Sequence, residues 1–362
     1  MRILITGGGT GGHLFPGIAL AEEFQDRSPQ NRIIFVGTRK GIEQRIIPPM
    51  GFELKTISSA GMVGKGMFQK FSGAFQCFIG IFQAMMIIRV FRPDLVLGTG
   101  GYVSSPVILA AYLLGIETAI CEQNSIPGLS NRILARLAKK IFIAFEESSR
   151  FFPLHKTFLT GNPVRKEFLT KHSFHRKDRN RFCVFIIGGS QGAHSINKSM
   201  IEALNTLLPV KNKLEIIHQT GLQDFSWVKE EYEKQKFRAT VSPFVTEMAS
   251  VYSDADLVIS RAGAITLSEL LICGKPSVLI PYPFAAYNHQ EVNAKSLADK
   301  GAAQIILDKE NNGVNLGNTI IYLFNHPQEL KKMGTKAQAL SRPEAAQVIV
   351  DHYCSSGTKG GE

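Results

Sequence analysis

Two doubly wound α/β domains in one chain are what this sequence predicts, and three observations predict it. The first is an internal echo: residues 2–13 read RILITGGGTGGH and residues 181–194 read RFCVFIIGGSQGAH. Each is an apolar, β-rich run, then a glycine-rich turn, then a pattern that can continue as a helix. That is the opening unit of a doubly wound domain. The two starts lie 179 residues apart, almost half of the 362-residue chain. The second is alternation, because apolar runs continuous enough for parallel strands buried on both faces recur between helix-length stretches. The third is length, which suits two domains of roughly 150 to 200 residues each.

After the first glycine turn, strands are expected at RIIFVG (32–37), PDLVLG (93–98), TAICEQ (118–123) and KIFIAF (140–145). After the second they are expected at KLEIIHQ (213–219), ATVSPF (239–244), DLVIS (256–260), PSVLIPY (276–282) and AAQIIL (302–307). Asn131–Lys140 and His289–Lys300 are helix-length stretches between them. Phe71 to Ile88 is eighteen residues without a charge, which borders on a membrane span by length. Ser72, Gly73, Gln76, Gly80 and Gln83 interrupt it, and Phe91-Arg92-Pro93 ends it, so it reads as a helix packed on its domain. The turn-rich TGNPVR (160–165) falls between the halves and is the expected hinge. HRKDRNR (175–181) reads as a solvated basic loop, and SSGTKGGE (355–362) as a mobile tail.

Composition narrows the class. Apolar residues are 44% and charged residues 20%, values that exclude disordered and fibrous chains. With 41 Lys/Arg against 30 Asp/Glu the net charge is +11, and residues 1–166 alone carry +9. An anionic partner meeting mainly the first half fits that asymmetry, whether nucleic acid, phospholipid headgroup or diphosphate. Five scattered cysteines without a CxxC pair imply a reducing compartment and no metal-ligand spacing. MRILITGGG opens as a strand without the apolar stretch of a signal peptide.

Gly7-x-Gly9-x-x-Gly12 fits a dinucleotide fingerprint formally. A nicotinamide-binding unit, however, needs an acidic residue at the end of its second strand, and here that strand ends Phe35-Val36-Gly37-Thr38. What survives is backbone N–H groups at a helix N-terminus, which favour an anion such as a diphosphate. Gly188-Gly189-Ser190-Gln191-Gly192 and Gly98-Thr99-Gly100-Gly101 repeat the feature. Three such loops predict two phosphate-bearing ligands facing each other across the hinge. In Arg261–Glu269 (RAGAITLSE), Gly263 to Thr266 open a helix suited to phosphate, and Glu269, one turn in, can accept from both hydroxyls of a ribose. The same Glu269 can simply offset the helix dipole. Asn288-His289-Gln290 can present amides to sugar hydroxyls, or Asn288 can cap a helix. Asp254-Ala255-Asp256 resembles a DxD metal motif but precedes a buried strand and is assigned to structure, with no metal expected. His13, at the end of its glycine loop, is either a general base or a polar helix-start residue, and Glu122 is the competing base.

GGGTGGH (7–13), GTGGYVS (98–104), EQNSIPGLSN (122–131), GNPVR (161–165), GGSQGA (188–193) and RAGAITLSE (261–269) occur in order over residues 2 to about 300. Together they resemble the UDP-N-acetylglucosamine–N-acetylmuramyl-(pentapeptide) pyrophosphoryl-undecaprenol N-acetylglucosaminyltransferase family of bacterial peptidoglycan synthesis. The resemblance implies the GT-B glycosyltransferase fold, two facing Rossmann-like domains. These are an acceptor and membrane-facing domain over 1–163, a UDP-GlcNAc-binding domain over 164–340, and a returning C-terminal helix and tail over 341–362.

On matching positions the resemblance implies a donor site of Ser190 and Gln191 near the diphosphate and the Val245 backbone on uracil. It adds Ala264, Ile265, Thr266, Leu267 and Ser268 around phosphate, Glu269 on ribose and Gln290 on the GlcNAc hydroxyls. Thr10, Gly11, Gly12, Asn124 and Arg165 match further donor contacts. Gly9, Thr10, Gly100, Gly101 and Tyr102 match a cradle for the acceptor diphosphate. The implied reaction is inverting, metal-independent GlcNAc transfer to a polyprenyl-diphosphate-linked muramyl-pentapeptide, without cofactor or nucleic acid. The setting implied is the cytoplasmic face of the inner membrane, peripherally on an anionic surface, with other cell-wall enzymes as partners and roles in cell shape and division. A related GT-B enzyme acting on another glycolipid, and a UDP-GlcNAc 2-epimerase, are the alternatives; a non-enzymatic nucleotide-sugar-binding subunit is a third.

Overall fold

Consecutive apolar residues of the opening strand, β1 (Arg2–Gly7), divide between two cores in the computed structural model. Ile3 and Ile5 join one buried cluster and Leu4 another, because a strand turns successive side chains to opposite faces. The same split recurs in β2 (Arg32–Thr38), where Ile33 and Phe35 oppose Ile34 and Val36. This is why the run is apolar without interruption. The structure describes residues 1–59, 67–170 and 180–354, with the backbone alone for 67–74. All but the last two residues of the basic run 175–181, and the whole 355–362 tail, lie outside the described residues.

One compact unit comprises Met1–Arg165 with the chain from Pro343 onward, and the other Lys166–Arg342. In the first, β1 and β2 are joined by β3 (Glu53–Ile57), β4 (Leu95–Gly100), β5 (Glu117–Glu122), β6 (Lys140–Ile143) and β7 (Thr157–Leu159). All pair in parallel, in the order β3-β2-β1-β4-β5-β6-β7. The helices are α1 (Gly11–Arg27), α2 (Glu43–Ile46), α3 (Met67–Phe91), α4 (Ser104–Leu113) and α5 (Leu129–Leu134). Sequence pattern missed β3 and β7. The first is an edge strand whose charged residues leave only its last residue buried, and the second has three residues. The helix expected over Asn131–Lys140 stops at Leu134, because the Lys139 N–H is already bonded to Thr118 in the sheet.

In the second unit, β8 (Phe182–Ile187), β9 (Leu214–Gln219), β10 (Ala239–Ser242), β11 (Leu257–Ser260), β12 (Ser277–Leu279) and β13 (Gln304–Ile305) form a parallel sheet ordered β10-β9-β8-β11-β12-β13. Its helices are α6 (His194–Leu207), α7 (Phe225–Lys234), α8 (Met248–Asp254), α9 (Ala264–Ile272), α10 (His289–Ala298), α11 (Gly313–Asn325) and α12 (Pro327–Ala339). The echo between the halves extends to a clamp. Asp256, just before β11, accepts the Cys183 N–H at 2.8 Å and returns its own N–H to the Cys183 carbonyl. Asp94, just before β4, makes the same exchange with Arg2, at 2.7 Å. The aspartate of the DxD-like sequence thus ties two strand starts together.

The last helix, α13 (Ala345–Cys354), buries Ala346, Ile349 and Val350 in the core of the first unit beside Leu14 and Ile18 of α1. Lys140 donates to the His352 carbonyl at 2.8 Å and lies over the Tyr353 ring. Helix α3 turns Gln83 inward, where its side chain accepts the Ser58 N–H at 2.6 Å. Ala84 and Ile88 face the core, and Phe75, Phe78, Phe82, Met86 and Val90 are exposed. Gln69, Ser72 and Phe71 belong to the stretch whose side chains are not described.

Candidate active site

Each sheet reverses its strand order once, between β1 and β4 and between β8 and β11. In open α/β sheets such a reversal leaves a crevice at the carboxyl ends of the strands, where ligands bind. The glycine loops found in the sequence flank these points.

In the first unit the loop after β1 runs into α1, whose N-cap position is Thr10. The Gly11 and Gly12 N–H groups open the helix, where no intrahelical carbonyl reaches them. Thr10 and Gly12 are exposed. The loop after β4 packs directly on this one. Gly101 lies so close to the Gly8 carbonyl, and Gly100 to the His13 ring, that neither could carry a side chain, and both have positive φ (79° and 102°). The Tyr102 ring lies against Gly9. The Gly9 N–H is directed toward Glu43, 3.4 Å away, so the ligand-facing part of the loop begins at Thr10.

His13 stands where three loops meet. Its Nδ1 lies 3.2 Å from the Thr99 carbonyl and 3.2 Å from Gln123 Oε1. A backbone carbonyl only accepts, so Nδ1 donates in this arrangement, and in a neutral ring the lone pair then lies on Nε2. Glu122 is different in kind. It is 3% exposed, accepts from the Asn124 N–H at 2.9 Å and from Asn131 Nδ2 at 2.9 Å, and lies 3.3 Å from Asn124 Nδ2. Burial pushes its carboxyl above the usual range, opposed by these hydrogen bonds. Asn131 also donates to the Cys121 carbonyl, so the pair Glu122–Asn131 fixes the EQN loop. The Arg165 guanidinium stacks over Phe15 of α1, 4.9 Å from the ring centre.

In the second unit, the Gly188–Gly192 loop exposes Ser190 and Gln191. Gly192 and Gly221 meet the carbonyls of Thr220 and Gln191 at distances that exclude a Cβ. Gln219, 1% exposed, donates to the Gly189 carbonyl at 2.9 Å and accepts the Val245 N–H at 3.0 Å. The Val245 N–H is therefore taken up within the unit. Helix α9 starts after Gly263, and its opening N–H groups, from Ala264 to Thr266, face away from their own helix. Ile265 and Leu267 are buried, and the Leu267 N–H is taken up by the Gly263 carbonyl at 3.0 Å. Ser268 donates its hydroxyl proton to the Ala264 carbonyl, and Glu269 is 6% exposed.

Gln290 accepts from the Ala262 and Tyr282 N–H groups, at 3.2 and 3.0 Å, which leaves its NH2 group to donate outward. Before it, Tyr287 and Asn288 both sit at φ near 55°, a strained pair of the sort found at ligand sites. Asn288 occupies the N-cap position of α10, but its side chain donates to Glu291 instead of accepting from the helix. Arg261, not singled out from sequence, bonds Asp308 Oδ1 at 2.6 Å and Ser195 Oγ at 2.8 Å, joining β11 to α6. Among the described residues no group of three or more His, Cys, Asp or Glu could hold a metal ion.

Residues 3–143 match the glycosyltransferase family 28 N-terminal domain and residues 183–349 the glycosyltransferase family 28 C-terminal domain. The crystal structure of MurG from Acinetobacter baumannii superposes with a TM-score of 0.78 and 33% identity, over 97% of this chain and 98% of that one. A UDP-GlcNAc 2-epimerase from Neisseria meningitidis shares the fold alone, with 14% identity and a TM-score of 0.67 over 97% and 99% of the two chains. The fold is GT-B, with two doubly wound units. A Thermodesulfovibrio yellowstonii protein named UDP-N-acetylglucosamine–N-acetylmuramyl-(pentapeptide) pyrophosphoryl-undecaprenol N-acetylglucosamine transferase is 48% identical over 97% of each chain. At that identity over almost its whole length, the chain belongs to this family of N-acetylglucosaminyltransferases.

Proposed function

We propose that the protein transfers GlcNAc from UDP-GlcNAc to the 4-hydroxyl of muramic acid on undecaprenyl-diphosphate-MurNAc-pentapeptide, the step from lipid I to lipid II in peptidoglycan synthesis. The oxygen of the acceptor hydroxyl attacks the anomeric carbon opposite the diphosphate. The new C–O bond forms as the sugar–phosphate bond breaks, giving a β-1,4 linkage with inversion, and UDP departs with the bonding pair. His13 Nε2 takes the hydroxyl proton. The observation that carries this reading is the place of His13, with Nδ1 3.2 Å from the Thr99 carbonyl, at the joint of the glycine loops of the first unit. Glu122 is surrounded by donors that its ionised form needs, which supports a loop-holding role for it.

In the second unit, Ser190, Gln191 and the N-terminal end of α6 are the groups proposed for the leaving diphosphate. Their N–H dipoles stabilise charge that appears only as UDP leaves. Glu269 is proposed for the ribose, the Val245 carbonyl for uracil, and the Gln290 NH2 for GlcNAc. One assay separates the alternatives: radiolabelled UDP-GlcNAc is incubated with muramyl-pentapeptide lipid, with diacylglycerol, or with no acceptor. Label in the disaccharide lipid supports the proposal. Label in a diacylglycerol glycoside, or conversion to the 2-epimer without acceptor, overturns it.

A polyprenyl-linked acceptor stays in a membrane, and we propose that the first unit attaches peripherally to the cytoplasmic face of the inner membrane. No described helix is long and apolar enough to cross it. The exposed stripe Phe75, Phe78, Phe82, Met86 and Val90 of α3, with exposed Arg89 and Arg92 beside it, supports attachment. Such a face gains from apolar insertion and about 1 kcal/mol per basic residue near anionic headgroups. Co-sedimentation with liposomes should require anionic lipid, weaken with salt, and fall for Phe75→Ser/Phe82→Ser. Indifference to lipid charge and salt would count against it.

A further inference from the structure

Glu43 has no part in the sequence-derived site, yet it is among the most completely buried charged side chains of the first unit, at 1% exposure. It opens α2, five residues beyond the end of β2. Its carboxylate folds back beneath the first glycine loop. Oε1 accepts from the Thr38 N–H at 2.7 Å and from the Thr38 hydroxyl at 2.9 Å, and Oε2 faces the Gly9 N–H at 3.4 Å. Three glycines make room for it. A Cβ on Gly8, Gly37 or Gly41 would overlap the Glu43 side chain in each case.

Burying an ionised carboxylate is costly unless its lone pairs are filled. Here three donors fill them, and two of the three come from the residue that ends β2. The third is the loop itself. We propose that Glu43 is the positioning residue of the acceptor-side glycine loop. It turns the Gly9 N–H inward and so fixes where the chain leaves the sheet, which aims Thr10, Gly11 and Gly12 at the ligand and sets His13 on the following turn. Glu43 touches neither substrate nor reacting atom in this scheme; it acts through Gly9. The inference rests on the acceptor-side reading of this loop given above.

Glu43→Asp is the informative variant. It keeps the charge, so any effect of the carboxylate on a nearby anion is retained, but it withdraws the oxygens by one methylene from Gly9. Loss of a hydrogen bond to a charged group should raise the acceptor KM about tenfold. The UDP-GlcNAc KM should rise less, by about threefold at most, because Thr10, Gly11 and Gly12 are only part of its proposed contacts and the donor loop of the second unit has its own support. Hydrogen exchange of the unliganded protein should show faster exchange of the Gly9 amide, a readout independent of turnover. Thr38→Val, which leaves Glu43 in place and removes one of its donors, should move the acceptor KM the same way by about threefold. Equal rises in both KM values with a lowered melting temperature would make Glu43 merely structural and overturn the proposal. So would an unchanged acceptor KM in both variants. If the wild-type protein transfers no GlcNAc to the muramyl lipid, the functional reading fails instead.

Discussion

The two glycine loops that follow the first strand of each sheet occupy the same place and are held by opposite chemistry. In both, the second strand or its continuation supplies the support. Under the first loop it is a buried carboxylate, Glu43, on Gly9 and Thr38. Under the second it is a neutral amide, Gln219, on Gly189 and Val245, with Gly192 and Gly221 interlocking the loop with its neighbour. A buried negative charge opposes an anion bound nearby. An amide imposes no such cost. On the proposed assignment, the second loop, with its neutral support, takes the diphosphate that gains charge as it leaves, and the first takes the acceptor, whose diphosphate keeps its charge.

That division of labour makes His13 the most damaging position. His13→Ala should lower kcat by about 100- to 10,000-fold, the usual cost of losing a general base. The UDP-GlcNAc KM should change little, which steady-state kinetics will check. Glu122→Gln should chiefly loosen the EQN loop and lower the melting temperature. If Glu122→Gln lost more turnover than His13→Ala while remaining folded, the roles assigned to the two residues would be reversed.

Exchanging the chemistry beneath the second loop tests the electrostatic half of the comparison. Gln219→Met removes both hydrogen bonds and should raise the UDP-GlcNAc KM about tenfold. Gln219→Glu removes the donor to Gly189 and adds a buried charge, so its effect should be larger, about 100-fold. The gap between the two variants sets the cost of the charge against the one hydrogen bond, from the Val245 N–H, that glutamate keeps and methionine loses. Binding of UDP by calorimetry should report the same gap without the acceptor. Equal effects would mean that the neutrality of this support does not matter.

How much of this was legible in the sequence follows from how local each signal is. Central strands such as β1, β8 and β11 announce themselves because both faces are buried, whereas β3 is an edge whose charges break the run. The glycine loops and the RAGAITLSE helix start are contiguous, and so were found. The residues that hold them act across the fold. Glu43 is not announced by the end of β2, because it arrives five residues later and bends back. The only trace of it in the sequence is a lone glutamate among clearing glycines, Gly37, Gly41 and then Glu43. Gln219 looked like the end of a strand, and nothing in its neighbours announces that its side chain spans two loops. Helix α3 was read correctly as a helix, but which stripe faced the core depended on Gln83 finding the Ser58 N–H.

Just beside Gln219 lies a second contrast between the loops, with a smaller expected effect. Register sets His218 of β9 beside Ile186 as it sets Phe35 of β2 beside Ile5. The first unit thus has an apolar ring where the second has a buried imidazole. His218 donates from Nε2 to Asn197 Oδ1 at 3.0 Å and accepts the Tyr232 hydroxyl at Nδ1, 2.9 Å away. Asn197 in turn donates to the Thr220 carbonyl and to Asp224. Both ring nitrogens are satisfied in the neutral form, and burial pushes the imidazole down to about 3, against a slight opposing pull from Asp224. Because the folded-state value lies below the ordinary 6.5, the unfolded chain takes up a proton first as pH falls. Stability is thus full above about pH 6.5 and lost progressively toward pH 3, by about 2 kcal/mol at pH 5. Acid should therefore open the sheet of the second unit before that of the first, seen as faster amide exchange in β9 than in β2. His218→Gln, which keeps a donor for Asn197, should be less stable at neutral pH but should flatten the acid slope. An unchanged slope in that variant would move the acid sensitivity to some other group, and with it the contrast between the two supports.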